Sequence, residues 1–190
     1  AVAVASVRDN SGAPVFSVNG VDLPTPTGRD RIEMLNSGRF PFATADKALA
    51  DAVKVAITTG NLWATDDFGA FGEADIVIVD VNLDIDQSNE VPQVDFSRFR
   101  TAIRTIGENI RPGTLIIVET TVPPGTCDKI VLPELRAALK ARGLDADDFL
   151  LAHSFERVMP GANYLASITH IWRVYSGHTP AAAVACREFL

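Results

Sequence analysis

Four short apolar runs constrain the fold of this chain more than any other feature: "PVFSVNGVDL" (14–23), "DIVIVDV" (75–81), "GTLIIVE" (113–119) and "DFLLAHS" (148–154). The first three are rich in β-branched residues, and "DIVIVDV" is nearly continuous, the pattern of a strand in a parallel sheet covered on both faces; "GTLIIVE" reads as the next buried strand and "DFLLAHS" as another. Between them lie stretches with helical spacing. "RDRIEMLNSGRFPF" (29–42) carries Ile32, Met34 and Leu35 and stops at Gly38, with Pro41 close behind. "TADKALADAVKVAITTGN" (44–61) starts at a Thr44 or Asp46 cap, sets Leu49, Val53 and Ile57 four apart, and ends at Gly60-Asn61. "VDFSRFRTAIRTIGENI" (94–110) places Phe96, Phe99, Ile103, Ile106 and Ile110 on one stripe. In "CDKIVLPELRAALKARG" (127–143), Pro133 marks a kink or a helix start, and "TPAAAVACREFL" (179–190) opens a last helix at Pro180. "NLWATDD" (61–67) and "HIWRVYSG" (170–177) read as further strands and "FGAFGEA" (68–74) as a short helix.

This alternation predicts an α/β fold: a Rossmann-like, doubly wound, mostly parallel sheet with helices on both faces and right-handed crossovers. In such sheets the ligand sits outside the carboxyl ends of the strands. Residues 1–178 are expected to form that domain, and 179–190 to start a helix leading onward. The opening "AVAVASV" reads as the middle of a helix whose beginning is missing, so the chain is expected to be a fragment. The acidic stretch "LDIDQSNEVP" (83–92) reads as a solvated connection or a lid.

Composition removes several function classes. The 190 residues are 47% hydrophobic, enough to bury a real core. Seventeen basic against 24 acidic residues leave a net charge of −7, which argues against binding the phosphate backbone of a nucleic acid. Cys127 and Cys186 have no spacing that could build a zinc site, so no metal is expected and a reduced, cytoplasmic compartment is the simplest reading. No apolar run exceeds seven residues, far below the roughly 20 of a membrane-spanning helix.

The candidate functional residues sit where the strands end. Asp22 closes the first strand, where an acidic side chain either accepts two hydrogen bonds from an adenosine ribose or serves as a plain turn residue. The G-x-G-x-x-G fingerprint that would decide between them is absent from the 190 residues. In "ETTVPPGT" (119–126), Pro123 and Pro124 stiffen the backbone and Gly125 permits an unusual φ. The segment is either a rigid turn with Thr126 as N-cap or a device that aims the threonine hydroxyls. In "HSFERVMPG" (153–161), Glu156 is either a proton acceptor at a cleft or half of a solvated Glu156–Arg157 turn, and His153 reads as structural. Cys127 stands at a helix start, which lowers a thiol pKa, but no histidine lies near it in sequence and no nucleophilic role is assigned.

Taken in order, "VNGVDL", "RIEMLNSGRFPF", "ATDD", "ADIVIVDV", "GTLIIVETTVPPGT" and "SFERVMPG" resemble the UDP-glucose/GDP-mannose dehydrogenase family of nucleotide-sugar 6-dehydrogenases, over almost the whole chain. The resemblance implies an NAD-binding domain. It belongs to an enzyme that oxidises the C6 hydroxymethyl of a UDP-hexose to the uronic acid by two hydride transfers. By the same resemblance, Thr121 and Glu156 are catalytic, handling water and protons beside C6; Asp22, Arg31, Thr65, Val81 and Thr120 bind the cofactor; and Arg157 binds the substrate. A homodimer and a role in polysaccharide precursor supply are also implied. The first strand and its glycine-rich loop are expected before Ala1, and the catalytic Lys, the nucleophilic Cys and the sugar-binding half after Leu190.

Two departures touch the cleft: "VNLD" (81–84) replaces the family's V-x-T-P, and Phe155 stands where the family has a proline before the glutamate. Other readings are a dehydrogenase of the 6-phosphogluconate or 3-hydroxy-acid type and a non-catalytic nucleotide-binding module.

Overall fold

A computed structural model describes residues 1–86, 93–157 and 161–190. In chain order the elements are α1 (Val2–Ala5), β1 (Val18–Val21), α2 (Pro26–Asn36), α3 (Lys47–Thr59), β2 (Leu62–Thr65), a 3₁₀ turn (Phe68–Glu73), β3 (Ile76–Val79), β4 (Asp84–Asp86), β5 (Gln93–Asp95), α4 (Ser97–Asn109), β6 (Leu115–Val118), a π-helical turn (Cys127–Val131) running into α5 (Leu132–Ala141), β7 (Leu150–His153), α6 (Tyr164–His170), β8 (Ser176–Gly177) and α7 (Pro180–Phe189). They form two compact units, Ala1–Ala70 with Arg157–Trp172, and Phe71–Glu156 with Arg173–Leu190. Among the described residues no helix is long and apolar enough to cross a membrane, and no three metal-ligating side chains cluster.

In the first unit β1 and β2 pair in parallel, Val18 opposite Leu62 and Val21 opposite Thr65. Leu49, Val53 and Ala56 of α3 bury against Val2, Ala5 and Leu62. Asn61 ties the layers by donating to the carbonyls of Ala5 (2.8 Å) and Phe16 (3.0 Å). Residues 26–28, between the first apolar run and the first helical stretch, form the first turn of α2. Thr25 caps it by accepting from the Gly28 N–H (3.1 Å), and Pro26 occupies the first position, where a missing N–H costs nothing. Asp46 caps α3 by accepting from the Leu49 N–H (3.2 Å), and its second oxygen accepts from the Leu165 N–H of α6 (2.7 Å). Helix α6 is not anticipated by the sequence reading; Tyr164 and Leu165 hold it against the Leu49 cluster.

The second unit carries a four-stranded sheet in the order β3-β6-β7-β8, parallel except for β8. All four residues of β6 are buried. Ile116 and Val118 join Phe99, Ile103, Leu135 and Leu139 of α4 and α5 on one side, whereas Leu115 and Ile117 meet Cys186 of α7 on the other. Three expectations shift. The helix expected from 94 begins at Ser97, because 93–95 pair antiparallel with 84–86. The lid or solvated connection expected at 83–92 lies partly in that pairing and partly, at 87–92, outside the described residues. The strand expected over 170–177 is reduced to Ser176–Gly177, because His170 closes α6 and the Arg173 side chain is drawn into an ion pair.

Gly107 of α4 is what lets α4 and α5 approach: a Cβ there would stand 2.8 Å from the Ala138 Cβ. Ala normally gains up to about 1 kcal/mol over Gly inside a helix. Here the contact reverses the sign, and G107A should cost about 1–3 kcal/mol in urea unfolding. In an A138G background the cost should shrink, the mark of direct coupling.

Asp46 gives a second expectation. The Leu165 N–H holds its pKa below the ordinary value against the upward push of burial, with the Leu49 N–H assisting. Its contribution is therefore present above the unfolded carboxylate pKa of about 4 and is lost as pH falls through the lower folded value. The stability gap between wild type and D46N should close on acidification below about pH 4.

Candidate functional site

In the second unit the carboxyl ends of three strands stop at one level, because Val79, Val118 and His153 occupy one rung of the ladder. The chain carries the pairing slightly further: the Glu119 N–H donates to the Val79 carbonyl (2.9 Å) and the Glu156 N–H to the Glu119 carbonyl (3.0 Å). Glu119 and Glu156 are thus neighbours across the strand ends. Together with Asp80, Asn82, Thr121 and Val122 they line a recess of about 560 Å³.

The two threonines of "ETTVPPGT" have different surroundings. Thr120 is buried, its hydroxyl accepting from the Val81 N–H (2.9 Å) and donating to the Val81 carbonyl (3.0 Å). It fastens the backbone that leaves β3 to the backbone that leaves β6. Thr121 is exposed on the recess. Gly125 takes φ +83, which favours glycine, and the Thr126 hydroxyl donates to the Pro123 carbonyl (2.7 Å). Thr126 does not cap the following helix, so the N-cap of the turn reading is not realised. Its backbone is already helical and its hydroxyl closes the turn instead.

Two residues that sequence reasoning missed complete the cluster. Arg173 pairs with Glu119 through one terminal nitrogen and with Glu156 (3.2 Å) through the other. The side chains of Arg173 and Glu119 are each only 14% exposed. Burial pushes the Glu119 carboxyl above its usual range; Arg173 opposes this, and the charges of Glu156 and Asp80 reinforce it. The available signal was an acid directly after a wholly apolar strand, where a carboxylate cannot reach bulk water freely.

The other expected site residues lie in the first unit. Asp22 follows β1, its N–H bonded to the Thr65 carbonyl (3.1 Å). One carboxylate oxygen accepts from the Leu23 N–H (2.7 Å) and the other faces Arg31 at 3.5 Å. Arg31 also stands 5.2 Å over the Phe42 ring. The Thr65 hydroxyl accepts from the Asp67 N–H (3.0 Å). Arg157 is exposed and belongs to this unit, and Val158 to Pro160 of "HSFERVMPG" lie outside the described residues.

Burial, followed by the charge of Asp128, pushes the Cys127 thiol up to about 11, so the helix start does not activate it. The His153 ring is held by the Val118 carbonyl (2.8 Å), a structural contact.

Residues 13–189 match the model of the UDP-glucose/GDP-mannose dehydrogenase family, NAD binding domain. The chain belongs to this family. It is 33% identical over 173 residues to a UDP-N-acetyl-D-mannosamine dehydrogenase of Pyrococcus horikoshii, covering 90% of this chain and 39% of that protein. To the enzyme of the same name from Escherichia coli K12 it is 30% identical over 176 residues, covering 90% and 39%. Among solved structures, the NDP-N-acetyl-D-galactosaminuronic acid dehydrogenase of Methanosarcina mazei Go1 superposes with a TM-score of 0.86 at 29% identity, over 99% of this chain and 38% of that one. The chain therefore spans about two fifths of the length of the relatives it matches. The matched region is that family's NAD-binding domain, so its cofactor is NAD. At Asp22 there is room for such a group: a carboxylate offers about four acceptor positions, and among the described residues the contacts that engage it come from the Leu23 N–H and Arg31.

The two threonines should separate on substitution. T120V leaves the Val81 N–H and C=O unpaired and should cost about 1–3 kcal/mol in thermal or urea unfolding. T121V, on the recess surface, should change stability by no more than about 0.5 kcal/mol.

Proposed function

We propose that the protein containing this domain oxidises the C6 hydroxymethyl of a UDP-hexose to the uronic acid with NAD, and that its sugar is an N-acetylhexosamine of the mannosamine type. The observation that carries the reading is that Thr121 and Glu156 line one recess at adjacent carboxyl strand ends. The names of the relatives from P. horikoshii and E. coli support the choice of sugar.

NAD supplies the hydride acceptor. The residues of this chain supply orientation and proton handling. As a hydride leaves C6, the C6 hydroxyl must lose its proton, and Glu156 is the carboxylate that takes it. The Thr121 hydroxyl both donates and accepts, so it can orient first the C6 oxygen and later the water that completes the oxidation. Asp22 would accept hydrogen bonds from the hydroxyls of the adenosine ribose, with Arg31 balancing its charge. Val81, its backbone held by Thr120, and Thr65 contribute backbone surface to the cofactor, and Arg157 meets the substrate's anionic part.

The test is NADH formation by the full chain over a panel of UDP-sugars. Turnover with UDP-N-acetylmannosamine above that with UDP-glucose is expected; the reverse order would overturn the sugar, and no NADH with any member would overturn the activity. E156Q should lower kcat by about 10²–10⁴-fold, the usual worth of a positioned proton acceptor. In T121V the loss should fall on kcat more than on the KM for NAD.

A further inference from the structure

The ion-pair cluster at the strand ends contains a residue with no assigned part in the reaction. We propose that Arg173 is a positioning residue, holding the carboxyl groups of Glu119 and Glu156 side by side on the recess and balancing half of their charge. The proposal rests on the function proposed above.

One guanidinium spans both carboxylates, with one terminal nitrogen on each. With both acids ionised the trio carries one net negative charge, in a place where the arginine and Glu119 are largely removed from water. Two carboxylates this close repel unless a cation lies between them, and the repulsion would swing the more exposed one, Glu156, toward solvent. Arg173 therefore determines where Glu156 points.

The remaining contacts favour a working role over simple cross-linking. The Nε–H of Arg173 is buried and has no partner among the described residues, so the guanidinium is not fully used by the two acids. The neighbouring Trp172 is left 89% exposed, so the local chain presents its largest apolar side chain to water while the arginine turns inward. Within the second unit, the groups coupled electrostatically to Glu119 are Arg173, Glu156, Asp80 and the Cys186 thiol of α7. Arg173 is the cation among these, and the acids respond to its removal in one direction.

The experiment uses R173Q, R173K and the double variant E119Q/R173Q in the full chain, each first checked for a native melting profile. Folded R173Q should lose about tenfold or more in kcat, with the KM for NAD within about twofold, because the lost interaction acts at the chemical step. The acidic limb of its kcat profile should move to higher pH, since removing a cation favours the protonated acids. R173K should recover part of the loss. E119Q/R173Q should turn over faster than R173Q, because no buried carboxylate is then left without its partner. Unchanged kcat and pH profile in folded R173Q would overturn the proposal, as would an equal loss in all three variants with the acidic limb unmoved. Carboxyl ¹³C NMR of glutamate-labelled protein reads the cluster without turnover. The Glu119 titration should move up in R173Q, and a titration that stays in place overturns the clamp even if the wild type oxidises no UDP-sugar. Should R173Q not fold, R173K carries the same NMR comparison.

Discussion

The parallel ladder of β3, β6 and β7 is the constraint on which the rest of the second unit depends. Because β6 is buried on both faces, its residues alternate between two cores: Ile116 and Val118 toward α4 and α5, Leu115 and Ile117 toward α7. A slip of one residue would exchange these sets, so the register is strongly specified. With the register set, Val79, Val118 and His153 stand in one rung and the polar residues that follow emerge together. The recess is a consequence of strand alignment, and the loops need only turn away from it.

Electrostatics at that edge follow from the same geometry. Three acids, Asp80, Glu119 and Glu156, border the recess, and burial penalises the charge on Glu119. Arg173 offsets this from a segment that leaves the sheet to reach it, which is why the strand expected over 170–177 is so short. Thr120 plays the neutral counterpart, satisfying both backbone groups of Val81 where the ladder has ended and no strand can do so.

Much of this was legible in sequence because its causes are local. Near-continuous apolar runs mark strands covered on both faces, and Asp46 and Pro180 mark helix starts by their own side-chain chemistry. The Thr120–Thr121 pair and Glu156 drew notice because they closely follow such runs, and the family resemblance assigned Thr121 and Glu156 their catalytic parts. Arg173 could not be singled out, since it reads locally as an ordinary solvated charge, and although Glu119 stands directly after an apolar strand, nothing near it in sequence shows a partner 54 residues away. Thr120 was not separable from Thr121 for the same reason: its partner is 39 residues away. Helix α6 escaped notice because seven residues carry too short a period to recognise, and packing against α3 is what holds it.

By itself the amino-acid order determined the class of fold, the strands of the sheet, the stiff Pro-Pro-Gly turn and the family to which the chain belongs. These depend on periodicity and on residues acting within a few positions of themselves. Only the tertiary structure decided which threonine faces the recess, which acid is forced to carry its charge in a dry place, and which arginine answers it. Those outcomes depend on the register between strands far apart in sequence, and a ladder of hydrogen bonds transmits that register to the strand ends as a fixed set of neighbours.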